Sequence, residues 1–110
     1  MGYLLMFARS MQLTAKKNQL NYETIMIQNR QQSITNQLSQ LQMAADSLPK
    51  DSPDLQYLEM QKQMLTMMNN NLETRLKYIQ TQLNVVAAEE QKADEALQAQ
   101  IAAATPKYVG

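Results

Sequence analysis

The chain has 110 residues, ten basic against ten acidic side chains, and no Cys, His or Trp. That length suits one domain. The residue types absent exclude disulfide frameworks, Ser-His-Asp and Cys-His nucleophiles, and zinc or Glu-x-x-His di-iron sites, while zero net charge leaves no field to draw the chain to nucleic acid or anionic lipid. With two glycines, three prolines and one phenylalanine, few residues favour turns or strands. The 16 glutamines and 8 asparagines lie mostly between apolar positions and read as solvated helix faces.

The chain opens on an apolar run, Tyr3–Ala8. It lacks a preceding basic region and is a poor secretory signal. It reads as packing against the alanine-rich end of the chain, with membrane contact the disfavoured alternative. Gly2 follows Met1, but position 6 is Met rather than Ser or Thr, so the myristoylation pattern fails. The compartment stays open: cytoplasm, or export without a cleaved signal.

A first helix is predicted over about residues 3–47, with no proline and no internal glycine. Its signature is an apolar residue at every seventh position: Leu13, Leu20, Ile27, Ile34, Leu41 and Leu48. The companion column reads Ser10, Lys17, Thr24, Gln31, Leu38 and Ala45 and is far less apolar. Arg9 and Lys16-Lys17 have no interleaved aromatics and read as a solvated face rather than a nucleic-acid contact.

A turn is predicted over residues 48–53. The residue before Pro49 is pushed out of helical geometry. The restart is marked by Ser52 as N-cap, Pro53 at the first helical position, and Asp54 placing negative charge in the first turn.

A second helix is predicted over about residues 54–104, with residues 105–110 as a tail after Thr105-Pro106. Its column is Leu58, Leu65, Leu72, Ile79, Val86 and Ala93, joined by Leu76, Leu83 and Leu97. Each helix would be about 70 Å long at 1.5 Å per residue, normal only for a coiled coil. The short linker makes the two antiparallel neighbours.

If the turn centres between Lys50 and Asp51, residue i meets about residue 101 − i. Leu41 then faces Met60, Ile34 faces Met67, Ile27 faces Leu72 or Leu76, Leu20 faces Ile79 or Leu83, and Leu13 faces Val86 or Ala88. Met6 faces Ala93 to Leu97. The fold expected is all-α, an antiparallel two-helix coiled-coil hairpin packing into a larger helical assembly. Its interface residues are Leu13, Leu20, Ile27, Ile34, Leu41, Leu65, Leu72, Leu76, Ile79, Leu83 and Val86, with Pro49, Ser52 and Pro53 shaping the turn.

Three features invite a sharper reading. Met60, Met64, Met67 and Met68 share a helix face, which reads as packing rather than copper(I) ligation. Asn69 takes a core-type position, either as a weak turn of helix or as a polar layer with Gln31 or Gln32 opposite. Glu89-Glu90 and Asp94-Glu95 read as a solvated face, since acid–base chemistry needs a pocket. Met11, Tyr22, Ile25, Met26, Tyr57 and Tyr78 lie off the main columns and are expected to stay partly exposed, which suggests further helix packing.

The segment Asp46-Ser47-Leu48-Pro49-Lys50-Asp51-Ser52-Pro53-Asp54-Leu55-Gln56-Tyr57 resembles the hairpin tip of type III secretion needle subunits. Those are small helical hairpins with a Pro-x-x-Pro-type tip whose following helix polymerises into a hollow filament. Here three residues separate Pro49 from Pro53, and Ala102–Gly110 does not reproduce the family's C-terminal apolar pattern. The resemblance implies an exported, self-assembling subunit without a cleaved signal.

The function expected is therefore non-enzymatic. The chain would be a coiled-coil structural protein that self-associates or joins a bacterial secretion or surface filament. The alternative is an adaptor or chaperone that binds another helical protein through an exposed apolar stripe. No cofactor is called for.

Overall fold

The computed structural model describes residues 2–104, without the side chains of Tyr3 and Ala104. The expected tail at residues 105–110 lies outside the described residues. Two helices account for the fold, α1 (Gly2–Asp46, 45 residues) and α2 (Pro53–Ala104, 52 residues). The chain is an all-α helical hairpin. The boundaries fall within a residue of those expected, the ordinary uncertainty of helix ends.

The turn is built without left-handed backbone: among the described residues, none has positive φ. α1 instead tightens at its end through two i→i+3 bonds, Ser47 N–H to Ala44 O (3.3 Å) and Leu48 N–H to Ala45 O (3.2 Å). The Ser47 hydroxyl also donates to Ala44 O at 2.8 Å. Between the prolines, Ser52 N–H donates to Pro49 O at 3.0 Å. Ser52 then caps α2 as expected: its Oγ accepts from Asp54 N–H at 3.3 Å, and its carbonyl accepts from Leu55 N–H at 3.2 Å.

Packing along the helices divides into two compact units. The tip unit, Glu23–Tyr78, contains the turn. Its seam is made by Ile27, Ile34, Leu41 and Leu48 of α1 against Leu58, Leu65, Leu72 and Leu76 of α2, with Ile34 buried and the rest half-buried. The terminal unit, Met1–Tyr22 with Ile79–Gly110, holds four of the five buried apolar residues among those described: Leu13, Leu20, Ile79 and Val86. Ile79 is 1% exposed, and each such buried Ile, Leu or Val stabilises the fold by about 1.5–3 kcal/mol.

Polar pairs across the seam report the register. In the tip unit Lys62 Nζ donates to Gln42 Oε1 (2.6 Å), Gln31 Nε2 to Glu73 Oε2 (2.9 Å), and Arg75 Nη2 to Glu23 Oε2 (2.9 Å). In the terminal unit Arg9 pairs with Glu89, and Lys17 Nζ lies 3.9 Å from Glu90 Oε2. Four of these pairs fall within three residues of the rule that residue i meets 101 − i, and Lys17–Glu90 departs from it by six.

Two layers of that expected pairing are corrected. Met60 and Met67, expected opposite Leu41 and Ile34, are each 63% exposed. Leu58 and Leu65 are the half-buried residues near those levels. Met60 follows Leu58 by two residues, which turns it about 200° around the helix to the outer face. Ala88, one of two partners expected for Leu13, is exposed, whereas Val86 is buried.

Candidate functional site

All eleven side chains expected at the interface are buried or half-buried, from Leu13 to Val86. Most of their surface is used in joining α1 to α2. What remains for function is the surface around that seam, and three parts of it stand out.

The first is a groove in the terminal unit with a volume of about 470 Å³. Met6, Leu13 and Leu97 supply apolar walls, and Glu90 and Asp94 supply acid. Small side chains at Ser10, Ala87 and Ala93 leave the space open. The acidic cluster is thus not simply a solvated face. Glu90 is half-buried in the companion column of α2, where Lys17 of the α1 companion column reaches it. Its other oxygen, Oε1, is buried with no partner. The opening apolar run joins this groove less than expected. Met6 is half-buried there, but Leu4 and Leu5 are 68% and 73% exposed, and Phe7 is exposed at the rim.

The second is the asparagine run. Asn69 sits half-buried in the seam, as its position required, but the polar layer with Gln31 or Gln32 does not form. Gln31 is drawn to Glu73, because a carboxylate is the stronger acceptor, and Gln32 is exposed. Asn69 Oδ1 is left buried without a partner.

The third is the outer face of α2 in the tip unit. Tyr57, Met60, Met64 and Met67 are all 62–64% exposed, so the packing expected of the methionines does not occur within the chain. They follow one another at spacings of three and four, and the pattern runs on through Asn71, Thr74 and Tyr78. This is the spacing of a coiled-coil seam. No residue in the stripe carries a charge. The corresponding outer stripe of α1, Ile25, Asn29, Gln32, Asn36, Ser39 and Met43, is also uncharged, but four of its six residues are Asn, Gln or Ser. Reading the sequence for its strongest apolar columns hides the α2 stripe, because the inner columns score higher. The signal that exposes it is the lack of charge at heptad spacing on the far side of the helix.

Tyr78 is held against the helix by Arg75, whose guanidinium lies 5.0 Å from the ring centre. Tyr57 is fixed by Gln61, whose Nε2 donates to the phenol oxygen at 3.0 Å. Among the described residues, no helix is long and apolar enough to cross a membrane. Compared with protein-family models, curated proteins and solved structures, the chain matches none of them.

Proposed function

We propose that the chain is a non-enzymatic coiled-coil assembly protein that works by packing its helices against copies of itself. We further propose that it serves as a subunit of a secretion or surface filament, of the kind its turn resembles. One observation carries the self-association. Among the described residues sixteen large apolar side chains are exposed, and Tyr57, Met60, Met64 and Met67 of α2 follow one another at heptad spacing with 62–64% of each in water. An uncharged apolar stripe of that kind marks a contact surface, and a neutral chain has little charge repulsion to keep copies apart.

The second reading, an adaptor or chaperone for another helical protein, is favoured by the open groove of the terminal unit with Glu90 and Asp94 on its wall. Mass by light scattering over a wide concentration range separates the two. Growth with concentration, with ordered oligomers or filaments by electron microscopy, is the outcome expected of a subunit. A monomer at every concentration would overturn self-assembly and direct attention to a partner.

A further inference from the structure

We infer that two copies of the chain pair through the outer face of α2 near the turn, as an antiparallel two-fold dimer in which Tyr57 and Met60 of one copy pack on Met67 and Met64 of the other. The inference rests on the self-assembly reading and adds to it a surface, a symmetry and a register.

The surface is set by exposure and spacing. Tyr57, Met60, Met64 and Met67 repeat at three and four residues over nearly three turns, and all are more than half exposed. A stripe with the seven-residue period can stay in contact with a second helix as the two wind around each other. With roughly 200–250 Å² for a fully exposed Tyr or Met, these four and Met68 leave about 600–700 Å² in water. That is what one partner contributes at the smaller end of a standard interface. The outer stripe of α1 in the same unit is mostly Asn, Gln and Ser, so it is the poorer partner.

The register follows from the layers. An antiparallel pair can slide only in steps of seven in the sum of facing residue numbers. With a sum of 124, Tyr57 faces Met67 and Met60 faces Met64, so all four layers are apolar on both sides. One step further, at 131, Met60 faces Asn71 and Tyr57 faces Thr74. The first arrangement is the one that leaves no apolar side chain against a polar one.

The symmetry is what identifies the occupant as a second copy. A two-fold axis forces residues beside it to meet their own mates. Charges cannot tolerate this, because like would face like. Here the residues flanking the axis are Gln61 and Gln63, and beyond them Gln56 meets Asn70 on one flank and Asp54 meets Met68 on the other, with no like charges opposed. Each amide carries donors and an acceptor, so it can hydrogen-bond its own kind. The charges nearest in sequence are turned elsewhere: Lys62 reaches Gln42 and Glu59 at the inner side. The methionines suit the layers because their unbranched thioethers fill irregular gaps and contact the Tyr57 ring favourably.

The chain has no cysteine, so introduced thiols report cleanly. The full chain carrying Met60→Cys and Met64→Cys together is oxidised mildly, and covalent dimer is scored on denaturing gels. Efficient dimer is expected, because each thiol faces the other's mate across the axis. The pair Met64→Cys with Met67→Cys marks the slipped register and is expected to give little. Efficient dimer from the second pair and not the first would overturn the register. In parallel, Met60→Glu with Met64→Glu is expected to weaken association at least about a hundredfold with helicity unchanged, since both sites are on the outer face. Undiminished oligomers of that variant would overturn the surface while leaving self-assembly standing. A wild-type chain that is monomeric throughout would overturn both.

Discussion

Replacing Asn69 by leucine tests whether the seam is read correctly. Asn69 Oδ1 is buried without a partner, and such an atom costs about 1–3 kcal/mol. The position is half-buried, so a leucine there recovers about half of a full side-chain burial, or about 1 kcal/mol. Asn→Leu also gains about 0.5 kcal/mol of helix propensity. Asn70 is exposed next door and supplies the control, since Asn70→Leu makes the same propensity change without the burial. The expected gains are about 2.5–4.5 kcal/mol for Asn69→Leu and about 0.5 kcal/mol for Asn70→Leu. For a chain of this size the first corresponds to a Tm rise of roughly 10 °C or more. Thermal unfolding followed by circular dichroism measures both, at one protein concentration because association shifts Tm. Equal effects of the two substitutions, or a fall in Tm for Asn69→Leu, would refute the placement of Asn69 in the seam.

Ile79→Ala removes a side chain that is 1% exposed, and urea titration should show a loss of about 2–5 kcal/mol, with Leu72→Asp plus Ile79→Asp abolishing the helical signal. Ser52→Ala should cost about 0.5–1 kcal/mol by the same titration, the low end for a cap because its hydrogen bond is 3.3 Å long, and Ser52→Gly should cost less. Glu90→Leu should raise stability in thermal melts, because it removes an orphaned buried oxygen and leaves Lys17 free to reach water; a lower Tm would show that the pair with Lys17 outweighs the desolvation. Glu23→Gln should change stability by less than about 1 kcal/mol in the same melts, since its ion pair with Arg75 is partly exposed.

The hairpin was legible because its two signals are independent. Seven-residue columns specify helices that need a partner, and Pro49, Ser52 and Pro53 specify where one helix ends and the next begins. The pairing rule also held within three residues for four of the five polar pairs, since it depends only on distance from the turn. It failed at Met60 and Met67 because a rule for level along the helix says nothing about direction around it. Leu58 and Met60 lie at nearly the same height on opposite faces. Asn69 was placed correctly and its partner was not, because Gln31 had a choice of acceptor that spacing cannot rank. The outer α2 stripe was half visible: Tyr57 and Tyr78 were expected to be exposed, but the methionines between them read as packing. A sequence shows that a side chain is apolar before it shows which surface will cover it.

The surface this chain leaves in water also sets how it should unfold. Among the described residues only Leu13, Leu20, Ile34, Ile79 and Val86 are buried, while sixteen large apolar side chains stay exposed, so folding hides little apolar area for a chain of this length. Denaturant dependence and the heat-capacity change both scale with newly exposed area. A lone hairpin should therefore melt with a shallow urea slope and a flat stability curve for its length. Assembly would restore the missing area and sharpen both, so the steepness of unfolding is itself a gauge of how many copies stand together.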